Sequence, residues 1–242
     1  MLFSHSDFSL KVLPEIDLPT ELGKLKNKGW VRSHREGDTG IGKTIEDLLG
    51  IEENPQTRPD CTYHGVPVEI KAHRVQAKSM ITLFTLEAGV RNLNDVELMQ
   101  RYGYKNGSGR RALKVTLTTN EFTPQGLKLE TNNSITIIDR AGAKLWTWTV
   151  SDIKLKLHNL CIIYCNSKAE KGQEYFAVQN AILVTDLNEK NFFDLVRNGI
   201  IKIDLRMHTK ESGASRNHGT AFRTANFDEL TKCYQNRTEL LN

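Results

Sequence analysis

Apolar positions recur along this chain at two periods. In residues 41 to 49, IGKTIEDLL, the residues Ile41, Ile45, Leu48 and Leu49 fall at helical spacing and Gly50 stands where a C-terminal cap belongs, so a short helix is expected. From 112 to 166 the period shortens. KVTLTT, GLKLE, SITIID and KLWTWTV alternate or are rich in β-formers, and LCIIYCN is apolar enough to lie inside a sheet. Tyr175 to Val184 and IIKIDLRM predict further strands, while NEKNFFDLVRNG reads as a helix from Asn188 to Gly199. Near the end, Asn226 with Glu229 has the form of a capping box, and Phe227, Leu230, Cys233 and Tyr234 make the apolar face of a terminal helix. No internal repeat or low-complexity stretch interrupts this mixed α/β pattern.

One segment stands apart, DCTYHGVPVEIK from Asp60 to Lys71. If His64 and Gly65 are a two-residue hairpin loop, Asp60 lies opposite Glu69 and Lys71 follows on the same face. Opposed side chains in such a ladder are about 4.5–5.5 Å apart at Cβ, and like charges so placed destabilise a sheet. A divalent cation between them reverses the sign of that interaction, and Mg²⁺ is characteristically held by one or two carboxylates with waters and phosphate oxygens. The segment therefore suits phosphodiester cleavage. A plain exposed hairpin would leave Asp60 against Glu69 as an uncompensated repulsion.

Composition narrows the setting. With 242 residues, 38% hydrophobic and 26% charged, the chain can form one large core or two small lobes. No apolar stretch reaches the length of a membrane span, and the first thirty residues, with Asp7, Glu15, Asp17 and Glu21, lack signal-peptide character, so a cytoplasmic protein with no membrane partner is expected. Cys61, Cys161, Cys165 and Cys233 show no paired spacing, which favours free thiols. The net charge is only +4, so the placement of cations matters more than their sum. Arg101, Lys105, Arg110, Arg111 and Lys114 surround Tyr102 and Tyr104 in a glycine-containing stretch suited to a phosphate backbone, and Arg206, Lys210, Arg216 and Arg223 cluster later with His208 and His218. Either run alone also fits a solvated face.

Residues 37 to 44, GDTGIGKT, match the P-loop pattern, but that mechanism needs a buried strand before the first glycine, and WVRSHREG supplies charge instead. The same residues serve better as a glycine turn entering a helix, with Lys43 and Thr44 near its start where they could meet a DNA phosphate and Glu46 as a third carboxylate near the hairpin. The histidines show no zinc-ligand spacing, and Trp146 and Trp148 alternate as packing residues.

With these residues together, the chain resembles the MvaI/BcnI family of type II restriction endonucleases, and its MvaI-like members more than its BcnI-like ones. The resemblance runs through GDTGIGKTIEDLL, PDCTYHGVPVEIKAH, KSMITLFT, RYGYK, IKIDLR and HGTAFR, from Gly37 to Arg223. It implies a restriction-endonuclease-like, MutH-like mixed β-sheet flanked by helices, with a catalytic lobe over roughly 1–150 and a DNA-recognition lobe over roughly 151–242 around a DNA cleft. It also implies a monomer with no obligate protein partner, cutting double-stranded DNA at a short CC-N-GG-like site with Mg²⁺, and a cognate DNA methyltransferase that protects the host site. The family's metal-binding acidic pair and lysine fall on Asp60, Glu69 and Lys71, and its additional carboxylate on Glu46. Base-reading positions fall on Asp204, Arg206, His218 and Arg223. His73, Lys78 and Thr85 join the DNA-facing residues through the EIK-x-H and KSMITLFT blocks, Thr85 standing where BcnI-like members have a histidine. Other readings stay open at this point: a MutH-like nickase of mismatch repair, a P-loop nucleotidase, and a DNA-binding module without catalysis.

Overall fold

Asp17 and Pro19 start the first helix. The Asp17 carboxylate accepts from the amide of Thr20, and a proline in the first turn removes no hydrogen bond that a helix needs. In the computed structural model, which describes residues 12–52, 58–77, 79–187 and 189–241, this helix, α1 (Leu18–Asn27), buries Leu18, Leu22 and Leu25. Strand β1 (Val31–Arg32) and helix α2 (Gly40–Leu48) follow, and then β2 (Cys61–Tyr63) and β3 (Val66–Arg74), the two legs of the hairpin. The chain next builds β4 (Ile81–Thr85), β5 (Val90–Arg91), α3 (Asp95–Tyr102), β6 (Tyr104–Lys105), β7 (Arg111–Leu117), β8 (Leu127–Thr131), β9 (Ser134–Asp139), β10 (Lys144–Thr149) and α4 (Val150–Lys154). It returns with β11 (Asn159–Glu170) and β12 (Gln173–Leu187), and ends with α5 (Glu189–Arg197), β13 (Lys202–Thr209), β14 (Ser215–Asn217), β15 (Ala221–Thr224), α6 (Phe227–Thr231) and β16 (Tyr234–Glu239).

These elements form two compact units whose segments interleave. The first holds the described residues through Val75, then His158–Leu183 and the last residues from Glu239. Its sheet runs β1-β12-β11-β3-β2, with β11 parallel to β3, so that Leu160 lies beside Glu69, Ile162 beside Lys71 and Tyr164 beside His73. Leu22, Ile41, Ile45, Val68, Ile70, Cys161, Ile163 and Phe176 form its core. Parallel neighbours cannot be joined by a tight turn. Here the connection from β3 to β11 is residues 76–157, which fold as part of the second unit, so that stretch does not group with the hairpin as the roughly 1–150 lobe expects.

The second unit, Gln76–Leu157 with Val184–Thr238, holds two sheets, β5-β10-β9-β8 and β4-β15-β13-β7-β6, with β14 paired to β13. Trp146 and Trp148 are fully buried, and their indole N–H groups donate to Leu93 O at 2.7 Å and Leu86 O at 3.0 Å, which makes them packing residues as expected. Phe84 stacks on both Phe222 and Phe192.

Most of the expected elements are present, with two differences. The terminal helix is short: Asn226 caps it through the Glu229 amide at 3.0 Å, but it ends at Thr231, and Tyr234 opens β16, which pairs with β12. Sheet pairing has overridden the apolar helical spacing of Cys233 and Tyr234. Asn188, expected to start α5, lies outside the described residues, and α1, α3 and α4 have no counterpart in the sequence reading. The four cysteines are buried thiols, and no helix among the described residues is long and apolar enough to cross a membrane.

Candidate functional site

The hairpin adopts the expected register. Cys61 pairs with Val68, Thr62 with Pro67 and Tyr63 with Val66 around His64 and Gly65, whose φ angles of +51° and +72° are those of a two-residue primed turn. One residue further the ladder departs from it. The Asp60 amide donates to Val68 O at 3.1 Å and its Oδ2 accepts from the Ile70 amide at 2.7 Å, so Asp60 does not sit square against Glu69. Along β3, Val68 and Ile70 enter the core, which leaves Glu69, Lys71 and His73 on the opposite face.

The carboxylates and the lysine act on one another. Lys71 Nζ meets Glu69 Oε1 at 2.5 Å, with both side chains about four-fifths buried (22% and 20% exposed). Burial first, and the Glu69 charge second, push the Asp60 carboxyl up to about 6, against the pull of the Ile70 amide and Lys71. The Glu46 carboxyl is also raised, first by burial, and it feels Lys43, Lys71 and Glu69. Thus Asp60, Glu69, Lys71 and Glu46 form one electrostatic cluster in the first unit.

Among the described residues, no three or more His, Cys, Asp or Glu side chains are drawn together as a ready metal cage. The donor chemistry nevertheless fits a hard divalent cation. Both oxygens engaged by the chain, Asp60 Oδ2 and Glu69 Oε1, leave each carboxylate a second oxygen, and the mutual repulsion is what a cation would relieve.

α2 supplies Glu46 through a tightly fixed turn. A Cβ on Gly40 would lie 2.2 Å from Arg35 O and 2.6 Å from Ser33 Oγ, so only glycine fits there. Thr44 is buried, its Oγ1 donating to Gly40 O at 2.8 Å and accepting from the His34 amide at 2.7 Å. Residues 40 to 44 are already helical, and β1 is only two residues long, which is not the strand and phosphate-cradling loop of a P-loop. Lys43 Nζ pairs with Asp47 at 2.8 Å and Glu46 at 3.7 Å. The sequence reading missed Arg74, which holds Gly37 O at 3.2 Å and Asp38 O at 2.9 Å while pairing with Glu174 at 2.8 Å. Its signal was only the strand alternation that turns it away from His73. His73 packs edge-on against Tyr164, and burial lowers its pKa.

A second cluster lies within the second unit, on one face of the sheet containing β13. Ile203, Leu205 and Met207 are buried on one side of that strand, so Lys202, Asp204, Arg206 and His208 share the other. Opposed residues share a face, which adds Thr116 beside Asp204, Lys114 beside Arg206, Arg216 beside His208, Arg223 beside Lys202, and Thr85 across Ala221. Asp204 is 6% exposed, accepts from Thr116 Oγ1 at 2.6 Å and pairs with Arg223 Nη1 at 2.7 Å. Arg223 Nη2 donates to Met80 O at 2.6 Å. His218 Nε2 lies 3.2 Å from His208 Nδ1, and its pKa is lowered by burial and then by Arg216, His208, Arg206 and Lys114.

The expected DNA-facing residues therefore divide. Thr85, Asp204, Arg206, His218 and Arg223 gather on this face. Lys105 does not, because its pairing with Arg111 turns it to the other side, and Arg101 sits on α3 near Asp139. Lys78 lies outside the described residues. Sequence reasoning missed Thr116 and Lys202, which the strand alternation of KVTLTT and IKIDLR could have placed, and it had Lys114 only as part of a basic loop, whereas it lies on β7.

Comparison with known proteins bears on both clusters. The model of the MvaI/BcnI restriction endonuclease family matches residues 20–230. A structure described as the restriction endonuclease MvaI in complex with cognate DNA substrate is similar at a TM-score of 0.78 and 29% identity, over 92% of this chain and 96% of that one. MvaI in the absence of DNA is similar at a TM-score of 0.54 and 26% identity, over 98% and 99%. No curated protein sequence matches.

Proposed function

Because the chain belongs to the MvaI/BcnI restriction endonuclease family, and is thereby a type II site-specific deoxyribonuclease with that family's mixed α/β fold, we propose that it binds double-stranded DNA and hydrolyses it at a short CC-N-GG-like site. The reaction uses Mg²⁺ and leaves a 5′-phosphate and a 3′-hydroxyl. The carrying observation is the convergence of Asp60, Glu69 and Lys71 on one hairpin, in a cluster whose like charges call for a cation.

Asp60 and Glu69 would hold the ion, which when bound would supply Lewis-acid polarisation of the scissile phosphate and lower the pKa of the attacking water. Lys71, kept in place by Glu69, orients the attacking water and balances the charge that builds on the phosphate oxygens. The water oxygen bonds to phosphorus, the bond to the 3′ oxygen breaks, and that oxygen leaves as the 3′-hydroxyl after taking a proton. Glu46, with its raised pKa, supports the water network from α2. On the basic sheet face, Arg206 and Arg223 suit guanine O6 and N7 in the major groove, Asp204 fixes Arg223 by their 2.7 Å pair, and Thr85, His218 and Lys114 complete the contacts. His73 and Lys43 border the cleavage cluster.

On this reading the enzyme acts as a cytoplasmic monomer without an obligate protein partner, beside a methyltransferase that protects the host site. Digesting DNA of known sequence with the purified chain and Mg²⁺, then sequencing the fragment ends, tests it. Double-strand breaks at one CC-N-GG-like sequence are expected. Nicks confined to one strand would favour the MutH-like alternative, and intact DNA would remove the catalytic reading.

A further inference from the structure

Thr62, the middle residue of β2, has a neighbour on both edges. On one side it faces Pro67 as a non-hydrogen-bonded pair, so its own N–H and C=O both point to the outer edge. On the other, the chain from Pro14 to Ile16 runs alongside: Thr62 N–H donates to Pro14 O at 2.9 Å, Ile16 N–H donates to Thr62 O at 2.9 Å, and Glu15 bridges Thr62 in parallel. The Glu15 carboxylate then reaches the turn itself, where the Gly65 amide donates to its two oxygens at 3.2 and 3.4 Å. Asp17 caps α1, whose Leu18 and Leu22 share a core with Cys61 and Val68, so the segment is anchored beyond the point where it touches the hairpin. These residues precede the family match, which begins at residue 20.

A three-residue edge strand has little hold of its own. This one also carries a load, because Asp60 immediately precedes it and the Asp60 and Glu69 carboxylates repel one another across the hairpin. Without a neighbour on its outer edge, β2 would yield to that repulsion most easily.

We infer that Pro14–Asp17 is a brace for the active site, with Glu15 a positioning residue that holds the His64–Gly65 turn and keeps the Asp60-bearing leg against the leg bearing Glu69 and Lys71. The inference rests on the reading of those three residues as the cleavage site. Glu15 touches neither DNA nor ion in this scheme and acts through hairpin geometry alone.

The test compares Glu15→Ala and Glu15→Gln in the full chain, with Lys71→Ala in parallel. Glu15→Ala should slow single-turnover cleavage at saturating DNA about tenfold, since small misplacements of reacting groups are costly. It should raise the Mg²⁺ needed for half-maximal rate and leave DNA affinity unchanged. Hydrogen exchange at the Thr62, Gly65 and Ile70 amides should quicken while the amides of β11 stay protected. Glu15→Gln keeps an oxygen for the Gly65 amide and should stay within roughly twofold of the wild type. Wild-type cleavage by Glu15→Ala would overturn the brace. So would equal losses in both variants with unchanged hairpin exchange, or slowing matched by an equal loss of DNA binding. If Lys71→Ala also cuts at the wild-type rate, the active-site reading fails; if Lys71→Ala is inactive beside a fully active Glu15→Ala, only the brace does.

Discussion

The hairpin of the first unit and the sheet face of the second are built on opposite charge and share one difficulty. At the hairpin, Asp60, Glu69 and Glu46 stand against Lys71 and, on the α2 side, Lys43, and burial first and Glu69 second push the Asp60 carboxyl up to about 6. On the sheet face, Lys114, Lys202, Arg206, Arg216 and Arg223 share one side with a single buried carboxylate, Asp204, which pairs with Arg223, and the His218 pKa is lowered by burial first and then by the neighbouring cations. Each cluster carries like charge that a partner of opposite sign would relieve, and the proposed function supplies a cation for the first and a polyanion for the second. Where they differ is in precision. The acidic set is held by backbone, through the Ile70 amide on Asp60 and the turn at Gly65, whereas the basic set rides on side chains, of which only Arg223 is locked at both ends of its fork. Chemistry tolerates little misplacement, and reading needs reach.

The largest expected effect that separates the two regions is Lys71→Ala. It should lower the cleavage rate by about 10²–10³-fold, the typical loss on removing one charge-stabilising group, while duplex affinity holds; single-turnover kinetics beside a binding titration with Ca²⁺ would show it. Next comes Arg206→Ala, which should cost about 1–3 kcal/mol of discrimination between the recognised sequence and a single-base variant. Uniform weakening on every sequence would mark Arg206 as a phosphate contact instead. Arg223→Ala should show the same loss with lower thermal stability, because Asp204, with a side chain 9% exposed, loses its counter-ion.

A smaller effect with a distinctive sign concerns Asp60. Its folded-state pKa, about 6, lies above the ordinary 3.8, so between these values the folded chain binds more protons than the unfolded one. Stability is therefore lost as pH rises through that window, and the cost is fully present above it. Asp60→Asn should abolish cleavage yet raise the metal-free Tm at pH 7.5 by about 2–4 °C, the response of a chain this size to ~1 kcal/mol. The gain should vanish below about pH 4, where both states are protonated. Scanning calorimetry at the two pH values is the check. The smallest effect is that of Lys114→Ala, which should weaken binding alike on all sequences and reduce the salt dependence by about one ion, seen in affinities measured across NaCl concentrations.

How much of this was readable beforehand depends on range. The His64–Gly65 turn and the pairing from Cys61 to Tyr63 follow from local turn chemistry, so the hairpin register could be set from the residues alone. The IKIDLR strand was likewise legible, but Asp204 and Arg206 were singled out by the family resemblance, and their shared face emerges from the burial of Ile203, Leu205 and Met207. The inward turn of Asp60 could not be read, because it depends on a single side-chain bond to the Ile70 amide. Nor could the pairing of β11 with β3, which joins segments far apart in sequence, or the hold of Arg74 on the turn before α2. Lys105 shows the limit of reading charge without register, since a basic loop supplied the cation and the pairing with Arg111 turned it away.

If cleavage resides in the hairpin and reading on the sheet face, the two functions should come apart cleanly. The decisive measurement is to determine binding and single-turnover cleavage for Lys71→Ala and Arg206→Ala on one cognate duplex and its single-base variant. Lys71→Ala should still prefer the cognate duplex but leave it intact, and Arg206→Ala should still cut, slowly, with its preference largely gone. Cutting by Lys71→Ala at the wild-type rate, or undiminished preference in Arg206→Ala, would contradict that division.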